Sequence, residues 1–169
     1  MPIRVAQIGT GNVGAHALRT LIANPDYELT AVWVSSESKA GKDAAELVGL
    51  DTTTGIKAST DLDEVLATQP DCAVYNAMAD NRLVEALEDY RRILAAGVNV
   101  VGSGPVFLQW PWQVIPEEMI KPIEDAARQG NSSLFVNGID PGFANDLVPL
   151  ALMGTCQSIE QVRCMEIVN

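Results

Sequence analysis

The sequence contains no apolar run close to the roughly 20 residues that a helix needs to span a bilayer. Its N-terminus lacks the basic and apolar regions of a secretory signal, because Arg4 falls inside a strand-like pattern. Cys72, Cys156 and Cys164 are an odd number of cysteines without metal-ligand spacing. These absences disfavour a membrane-spanning or disulfide-built protein, and we expect a cytoplasmic one.

Positive charge is also scarce, since 22 acidic residues against 11 basic ones give a net charge of -11. Nucleic acids and anionic membranes repel a chain of this charge, so neither is an expected partner. The single histidine, His16, falls in the first predicted helix and is expected on its surface. No residue cluster suggests a metal site, and no serine or cysteine has the setting of a catalytic nucleophile. A small-molecule substrate is the expected partner.

A glycine motif directly follows the first strand-like run, IRVAQI at residues 3–8. A strand, then GxGxxG, then a helix is the order of a dinucleotide-binding βαβ unit. The first glycine permits a tight turn, the second lets a pyrophosphate approach the backbone, and the third lets the helix lie close to the strand. The helix N-terminus attracts the diphosphate. The predicted phosphate-binding loop consists of Gly9, Thr10, Gly11, Asn12, Val13 and Gly14.

Strand and helix patterns alternate along the following chain. Further strands are predicted at residues 28–34, 55–59, 72–76, 98–101 and 133–136. The first helix is predicted after the glycines, with Val13, Ala17 and Leu21 on one apolar face. Further helices are predicted at residues 43–47, after a cap at Thr60 or Asp61, at 83–96, and at 116–129 with Gly130 as the stop of the last. Such repeated βα units predict an α/β fold, a Rossmann-like doubly wound parallel sheet.

The character of the sequence changes at residue 137. A glycine- and proline-containing loop, NGIDPGFAND, precedes an apolar helix at residues 147–153 and a strand-like pattern at 159–168. A chain that stops on an open strand leaves an unpaired edge. We therefore expect a dinucleotide-binding domain at residues 1–136, and at 137–169 the start of a second α/β domain of a longer protein.

The loop after the second strand indicates the type of cofactor. An NAD-specific unit places an acidic residue on the adenosine ribose about 20 residues beyond the glycines. Here the first side chains beyond the strand are Ser35 and Ser36, followed by Glu37 and Lys39. Two hydroxyls and a cation suit a 2′-phosphate, so we favour NADP. NAD stays open because Glu37 can turn towards the ribose, and the loop can also be an ordinary polar surface.

Two further loops follow strands on the same predicted sheet edge. Asn76, Ala77 and Met78 follow the strand at residues 72–76, and Gly102 and Ser103 follow the strand at 98–101. Ligands of open α/β sheets bind at the carboxyl ends of the strands. We expect these five residues to line the diphosphate or the nicotinamide ribose, although for Asn76 a plain polar loop is an equal alternative.

Candidate substrate contacts lie later in the chain. Phe107 and Trp110 sit in a proline-broken loop and are candidates for an apolar substrate wall, with core packing as the alternative. Asn137 and Asn145 are candidate polar contacts. Asp140, between an isoleucine and a proline, is the candidate catalytic carboxylate that orients an ammonium or a water. The alternative is that Asp140 and Asn145 cap the next helix.

With these motifs in place, the chain resembles the N-terminal part of the dihydrodipicolinate reductase-like superfamily. It is most similar to the branch of 2,4-diaminopentanoate dehydrogenase and the native NAD(P)-dependent amine dehydrogenases. The segments that carry the resemblance are IRVAQIGTGNVG, VSSESKAGKDAAEL, AAGVNVVGSG and NGIDPGFANDLVPLAL. The resemblance implies a two-domain, homodimeric enzyme whose second domain supplies much of the substrate pocket.

Two features of these relatives are missing from the sequence. The amine dehydrogenases have a glutamate soon after the strand at residues 98–101, whereas here no acidic residue lies between that strand and Glu117. The His-His-Lys motif of the reductases is not present either. We expect an NAD(P)-dependent oxidoreductase that transfers hydride between the cofactor and an imine, amine or carbonyl substrate. The alternatives are a non-catalytic NAD(P)-binding sensor or regulatory module and a chain that only serves in an assembly.

Overall fold

The computed structural model describes residues 1–167. The chain separates into two compact units, Met1–Val136 and the part from Asn137 onward. Among the described residues, no helix combines the length and apolar character needed to cross a membrane.

A parallel sheet forms the centre of the first unit. Within residues 1–167 it has six strands in the order β3-β2-β1-β4-β5-β6. The strands are β1 (Ile3–Ile8), β2 (Tyr27–Trp33), β3 (Ala58–Ser59), β4 (Cys72–Tyr75), β5 (Asn99–Gly102) and β6 (Leu134–Val136). The connecting helices are α1 (Asn12–Ala23), α2 (Ala44–Leu47), α3 (Leu62–Ala67), α4 (Leu83–Ala95) and α5 (Glu117–Gly130), with a 3-10 turn at Val106–Gln109. This architecture confirms the predicted Rossmann-like fold.

The carboxyl ends of the central strands are aligned at one edge of the sheet. Ile8 at the end of β1 is in register with Trp33 at the end of β2 and with Tyr75 at the end of β4. Tyr75 in turn is in register with Gly102 at the end of β5. Because the strand order reverses at β1, a crevice opens at this edge, where doubly wound sheets bind their ligands.

The buried face of α1 differs from the predicted one. Val13 was expected on that face but is 59% exposed, whereas Leu18 and Leu21 are buried together with Gly14. Val13, in the first turn of α1, lies beside the crevice at the sheet edge and not in the core. The spacing of apolar residues therefore predicted the buried face of α1 correctly only beyond its first turn.

The end of α5 also differs from the prediction. Gly130 is the last residue of the helix, and Asn131, with a φ of 50°, ends it in the left-handed conformation. A Cβ on Gly130 would overlap the Leu94 carbonyl oxygen at the end of α4. Gly130 therefore permits close packing of two helices, which a sequence pattern within one helix does not reveal.

The regular structure in the described part of the second unit is helical and lies between residues 143 and 153. A π-helical turn at Phe143–Leu147 leads into α6 (Val148–Met153), where a helix from residue 147 was predicted. The strand predicted at 159–168 is wrong for residues 159–167, which form no strand, and residue 168 lies outside the described residues. An alternating sequence becomes a strand only beside a partner strand, and residues 159–167 pair with none.

Candidate functional site

An open cavity of about 680 Å³ lies at the carboxyl ends of β1, β2, β4 and β5. Its size is in the range of small-molecule and cofactor sites. Most of the predicted cofactor residues line it: Gly9, Thr10, Gly11, Asn12, Val13, Ser35, Ser36, Lys39, Asn76, Ala77, Met78 and Ser103. The structure thus brings together side chains from four separate loops, as expected from the alignment of the strand ends.

Three glycines shape the turn between β1 and α1, each in a different way. Gly9 has a φ of 90°, and a Cβ there would come within 2.6 Å of the backbone nitrogen of Ala77. A Cβ on Gly14 would overlap the carbonyl oxygen of Gly9. Around Gly11, by contrast, no atom lies within 4 Å of a Cβ position. Two glycines therefore hold the turn tight, and the third leaves open space beside the backbone.

The N-terminus of α1 faces this open space. The helix has 12 residues, Gly11 is its N-cap, and no side chain caps its first amides. Uncapped amides and the helix dipole attract anions. A diphosphate therefore fits at this turn, because the backbone donors are free and Gly11 leaves room for it.

Lys39 connects the loop after β2 to the glycine turn. Its Nζ donates to the carbonyl oxygen of Thr10 at 2.9 Å and to the Thr10 Oγ1 at 3.1 Å. Ser36 lies in the same loop with its Oγ 2.7 Å from the Oγ of Ser38, while Glu37 is exposed. An ammonium group has three protons, so one proton of Lys39 is left for a ligand.

Three polar side chains join the ends of β1, β4 and β5. Gln7, which is fully buried, donates from Nε2 to the carbonyl oxygen of Gly9 at 2.8 Å and to the Asn76 Oδ1 at 3.0 Å. Asn76 donates from Nδ2 to the Ser103 Oγ at 3.1 Å. Asn76 and Ser103 were predicted site residues, whereas Gln7 was interpreted only as part of a strand.

A second group that the sequence reasoning missed lies between β2 and α4. Arg82 and Trp33 both line the cavity, with the guanidinium carbon 5.4 Å from the centroid of the indole ring. Arg82 also donates to the Tyr75 hydroxyl at 3.0 Å and to the Asp89 Oδ2 at 3.0 Å. The position of Trp33 at the carboxyl end of β2 was the available signal in the sequence.

The same group includes a hydrogen bond from the Tyr75 hydroxyl to Asp89 Oδ2 at 2.8 Å. Burial, followed by the nearby Asp89 carboxylate, raises the pKa of the Tyr75 phenol. Tyr75 is therefore neutral at physiological pH and remains a donor. Asp89 accepts from both neighbours, so the three side chains form a closed polar group beneath the cavity wall.

We expect Asp89→Asn to lower the free energy of unfolding by about 2 kcal/mol, because it leaves a largely buried guanidinium without its counter-charge. The side chains of Arg82 and Asp89 are only 24% and 13% exposed. Asp125→Asn is the matched control, since Asp125 pairs with Arg128 on an exposed helix surface and should change stability by less than about 0.5 kcal/mol. Urea unfolding measures both. An equal decrease in the free energy of unfolding for both variants would show that the buried ion pair of Asp89 and Arg82 stabilises the fold no more than an exposed pair does.

Some predicted site residues lie away from the cavity lining. Gly14 supports the turn from behind, and Gly102 is buried where a Cβ would overlap the hydroxyl of Tyr90. Phe107 is half-buried and packs against the main hydrophobic core, as the alternative interpretation held. Trp110 is 67% exposed and forms an edge-to-face pair with Trp112.

The second unit brings together Asp140 and Asn145, because the Nδ2 of Asn145 donates to Asp140 Oδ1. Asp140 does not cap the following helical turn, whose N-cap is Gly142. The pKa of the Glu166 carboxyl is raised by its hydrogen bond with Asp140 and by the negative charge of the Asp140 carboxylate. Asn137 accepts a hydrogen bond from the backbone nitrogen of Gly138 at 2.8 Å. Asp140 is therefore a half-buried acceptor with a fixed orientation.

Two other groups considered in the sequence are the single histidine and possible metal ligands. His16 lies exposed on α1. Among residues 1–167, no three histidine, cysteine, aspartate or glutamate residues are grouped so that they can hold a metal ion. The polar groups that line the cavity are backbone amides, amide side chains, hydroxyls, the carboxylate of Asp80 and two cations, Lys39 and Arg82.

Comparison with known proteins gives consistent matches. Residues 3–101 match the family described as dihydrodipicolinate reductase, N-terminus. An amine dehydrogenase of Streptomyces virginiae is 42% identical over 159 residues, which are 94% of this chain and 44% of that protein. The chain spans less than half the length of this relative.

Solved structures give the same result for the fold. The structure of an amine dehydrogenase from Mycobacterium smegmatis has a TM-score of 0.77 and 28% identity, over 95% of this chain and 46% of that one. A biliverdin reductase from a Synechocystis species, solved with biliverdin and NADP+, has a TM-score of 0.64 and 20% identity, over 90% and 43%. The second of these likenesses concerns the fold alone.

Proposed function

Since the chain belongs to the dihydrodipicolinate reductase N-terminal family, we propose that it is the cofactor-binding part of an NAD(P)-dependent oxidoreductase. The observation that carries the proposal is the open turn at Gly11 beside the uncapped N-terminus of α1. The nicotinamide, when bound, supplies or accepts the hydride, and the protein supplies orientation and electrostatics. The substrate class that the relatives suggest is an imine, amine or carbonyl compound.

The strand order gives the bound dinucleotide a direction. The diphosphate belongs at the turn after β1, and the hydroxyls and cation after β2 suit the adenosine ribose. The nicotinamide half then extends to the other side of β1, over the loops that follow β4 and β5. Asn76, Met78 and Ser103, which line the cavity on that side, support this orientation.

Titration calorimetry of the purified chain with NADP+ and NAD+ tests this proposal. We expect saturable binding of at least one of the two. No detectable heat from either at millimolar concentration would contradict the cofactor assignment. Binding without turnover by the complete protein, for any amine or carbonyl substrate, would instead favour a sensor or regulatory module.

We propose NADP as the preferred cofactor, with Ser35, Ser36 and Lys39 around the 2′-phosphate. Lys39 is held 2.9 Å from the carbonyl oxygen of Thr10 and keeps one proton for this phosphate. Its contact with the glycine turn also affects every dinucleotide that binds there. NAD remains the alternative, because exposed Glu37 lies in the same loop.

We expect Lys39→Ala combined with Ser36→Ala to weaken NADP+ binding by about 1.5–3 kcal/mol, the size of the charged hydrogen bonds lost. NAD+ should weaken less, because it loses only the support that Lys39 gives to Thr10. Lys42→Ala is the control, since Lys42 lies outside the cavity lining and pairs with Glu46 at 3.6 Å. Calorimetry with both cofactors measures the ratio. An equal loss for both would contradict a contact with the 2′-phosphate, because Lys39 would then act only through Thr10.

The part from Asn137 onward we propose as the beginning of a substrate and dimerisation domain. The family relatives are more than twice as long as the matched region, which supports a second domain in the complete protein. Within this part, Asp140 is the proposed proton-transfer or orienting carboxylate, and Asn137 and Asn145 are proposed substrate contacts. A homodimer in the cytoplasm is the proposed state of that protein.

A further inference from the structure

We propose that Gln7 fixes Ser103 as a hydrogen-bond donor to an acceptor oxygen on the nicotinamide riboside half of the dinucleotide. This inference rests on the proposed function and adds a positioning residue to its site. Gln7, Asn76 and Ser103 form one chain of hydrogen bonds across three neighbouring strand ends. The buried end of this chain determines which way the exposed end donates.

The direction begins at the glycine turn. The carbonyl oxygen of Gly9 can only accept, so the amide nitrogen of Gln7 and not its oxygen must face it, at 2.8 Å. The second proton on the same nitrogen points to Asn76 Oδ1 at 3.0 Å. Gln7 has no choice of orientation, because turning its amide over would place two oxygens against each other.

The direction then passes to the surface of the cavity. Because Asn76 Oδ1 accepts from Gln7, its nitrogen faces the Ser103 Oγ and donates to it at 3.1 Å. The hydroxyl of Ser103 therefore accepts within the protein and has its own proton left. In the part of the chain that the structure describes, no acceptor is bonded to this proton, and Ser103 is exposed at the cavity. The proton is available to a ligand.

The orientation of Gln7 has a cost that supports a functional role. Gln7 is 0% exposed, and its Oε1 has no hydrogen-bond partner among the described residues. Buried polar atoms without partners are rare, and such exceptions concentrate at functional sites. An apolar side chain at this position of β1 would avoid the cost but would leave Asn76 free to turn.

The position of Ser103 identifies the part of the ligand that it meets. Ser103 follows β5, two strands away from β1 and on the side opposite β2. The adenosine half lies towards β2, so the nicotinamide riboside half is the part near Ser103. Its acceptor oxygens are the carboxamide oxygen and the ribose hydroxyls. Both can accept a hydrogen bond from a hydroxyl.

A double-mutant cycle on the full chain tests the proposal, with dissociation constants for NADP+, NAD+, ADP-ribose and ADP measured by calorimetry. We expect Ser103→Ala to raise the dissociation constant of the more tightly bound dinucleotide about 3- to 10-fold, the range for one neutral hydrogen bond. Asn76→Asp removes the donor to Ser103 and offers it an acceptor instead, so the hydroxyl turns inward. In that background Ser103→Ala should change affinity less than about 1.5-fold.

Gln7→Met provides a second background, since it removes the donor that orients Asn76 while keeping the side-chain length. In the Gln7→Met background, Ser103→Ala should also raise the dissociation constant by a smaller factor than in the unsubstituted chain. Ser133→Ala is the matched control, because it removes an exposed hydroxyl at the amino end of β6, away from the cavity, and should leave all affinities unchanged. Circular dichroism checks that each variant is folded.

The ligand series locates the contact. If Ser103→Ala also weakens the binding of ADP-ribose, the acceptor is a ribose hydroxyl. If it weakens only the binding of the complete dinucleotide, the acceptor is the carboxamide oxygen. The proposal is overturned if Ser103→Ala has no effect, if its effect is the same in all backgrounds, or if ADP is weakened equally. If the unsubstituted chain binds neither dinucleotide, the proposed function fails as well, which is a different and separately visible result.

Discussion

We expect Gly14→Ala to lower the free energy of unfolding by about 2–3 kcal/mol, the upper part of the range for overpacking a buried site. A Cβ at this position would overlap the carbonyl oxygen of Gly9, and its next neighbours are the Gly9 carbonyl carbon at 2.9 Å and the Gln7 Nε2 at 3.2 Å. Relief therefore requires α1 to move away from β1. Scanning calorimetry should show a decrease in Tm of about 10 °C for a chain of this size.

The matched control for this substitution is Gly11→Ala, three residues earlier in the same motif. Its φ is -74°, which alanine adopts without strain, and no atom lies within 4 Å of the added Cβ. Stability should stay within about 0.5 kcal/mol of the unsubstituted chain. Dinucleotide affinity should nevertheless fall at least about tenfold, because the methyl group occupies space that the diphosphate needs.

The two glycine variants thus separate folding from binding. An unchanged Tm for Gly14→Ala would show that α1 does not pack against the turn as closely as the backbone geometry requires. Normal dinucleotide binding by Gly11→Ala would show that the diphosphate does not cross this turn.

In the complete protein, we expect Asp140→Asn to lower kcat about 100-fold, or about 2.7 kcal/mol of transition-state stabilisation, with cofactor affinity unchanged. The carboxylate is half-buried, accepts from Asn145, and raises the pKa of the Glu166 carboxyl through their hydrogen bond. Asparagine keeps the shape but cannot take up a proton or hold the same charge. The acidic limb of the pH–rate profile should therefore change as well.

Asp146→Asn is the matched control for this experiment, because Asp146 is an exposed carboxylate in the same π-helical turn. It should leave kcat and its pH dependence unchanged. Full turnover by Asp140→Asn with an unaltered pH profile would remove the catalytic role. A helix cap would not explain the carboxylate in that case either, since Gly142 occupies the cap position.

Local sequence rules were sufficient where each requirement acts within a few residues. The turn after β1 needs glycines because of backbone sterics. The local spacing of apolar residues predicted β1, β2, β4 and α4 to within one or two residues. The aligned carboxyl ends of parallel strands then follow from the fold class. This is why most of the cavity lining, from Gly9 to Ser103, was predictable before any coordinates.

The sequence by itself thus determined the Rossmann-like fold, the glycine turn and the loops that form the cavity. The tertiary structure alone decided how the side chains in those loops are used. Gln7 and Asn76 are 69 residues apart in the sequence, and Lys39 and Thr10 are 29 residues apart. A local sequence pattern therefore cannot predict their contacts. The contact between Arg82 and Trp33 likewise joins residues that are far apart along the chain. Residues 159–167 have a strand-like sequence, but no other strand lies beside them to pair with. Hydrogen bonds and pairings of this kind depend on which distant groups the folded backbone brings within about 3 Å.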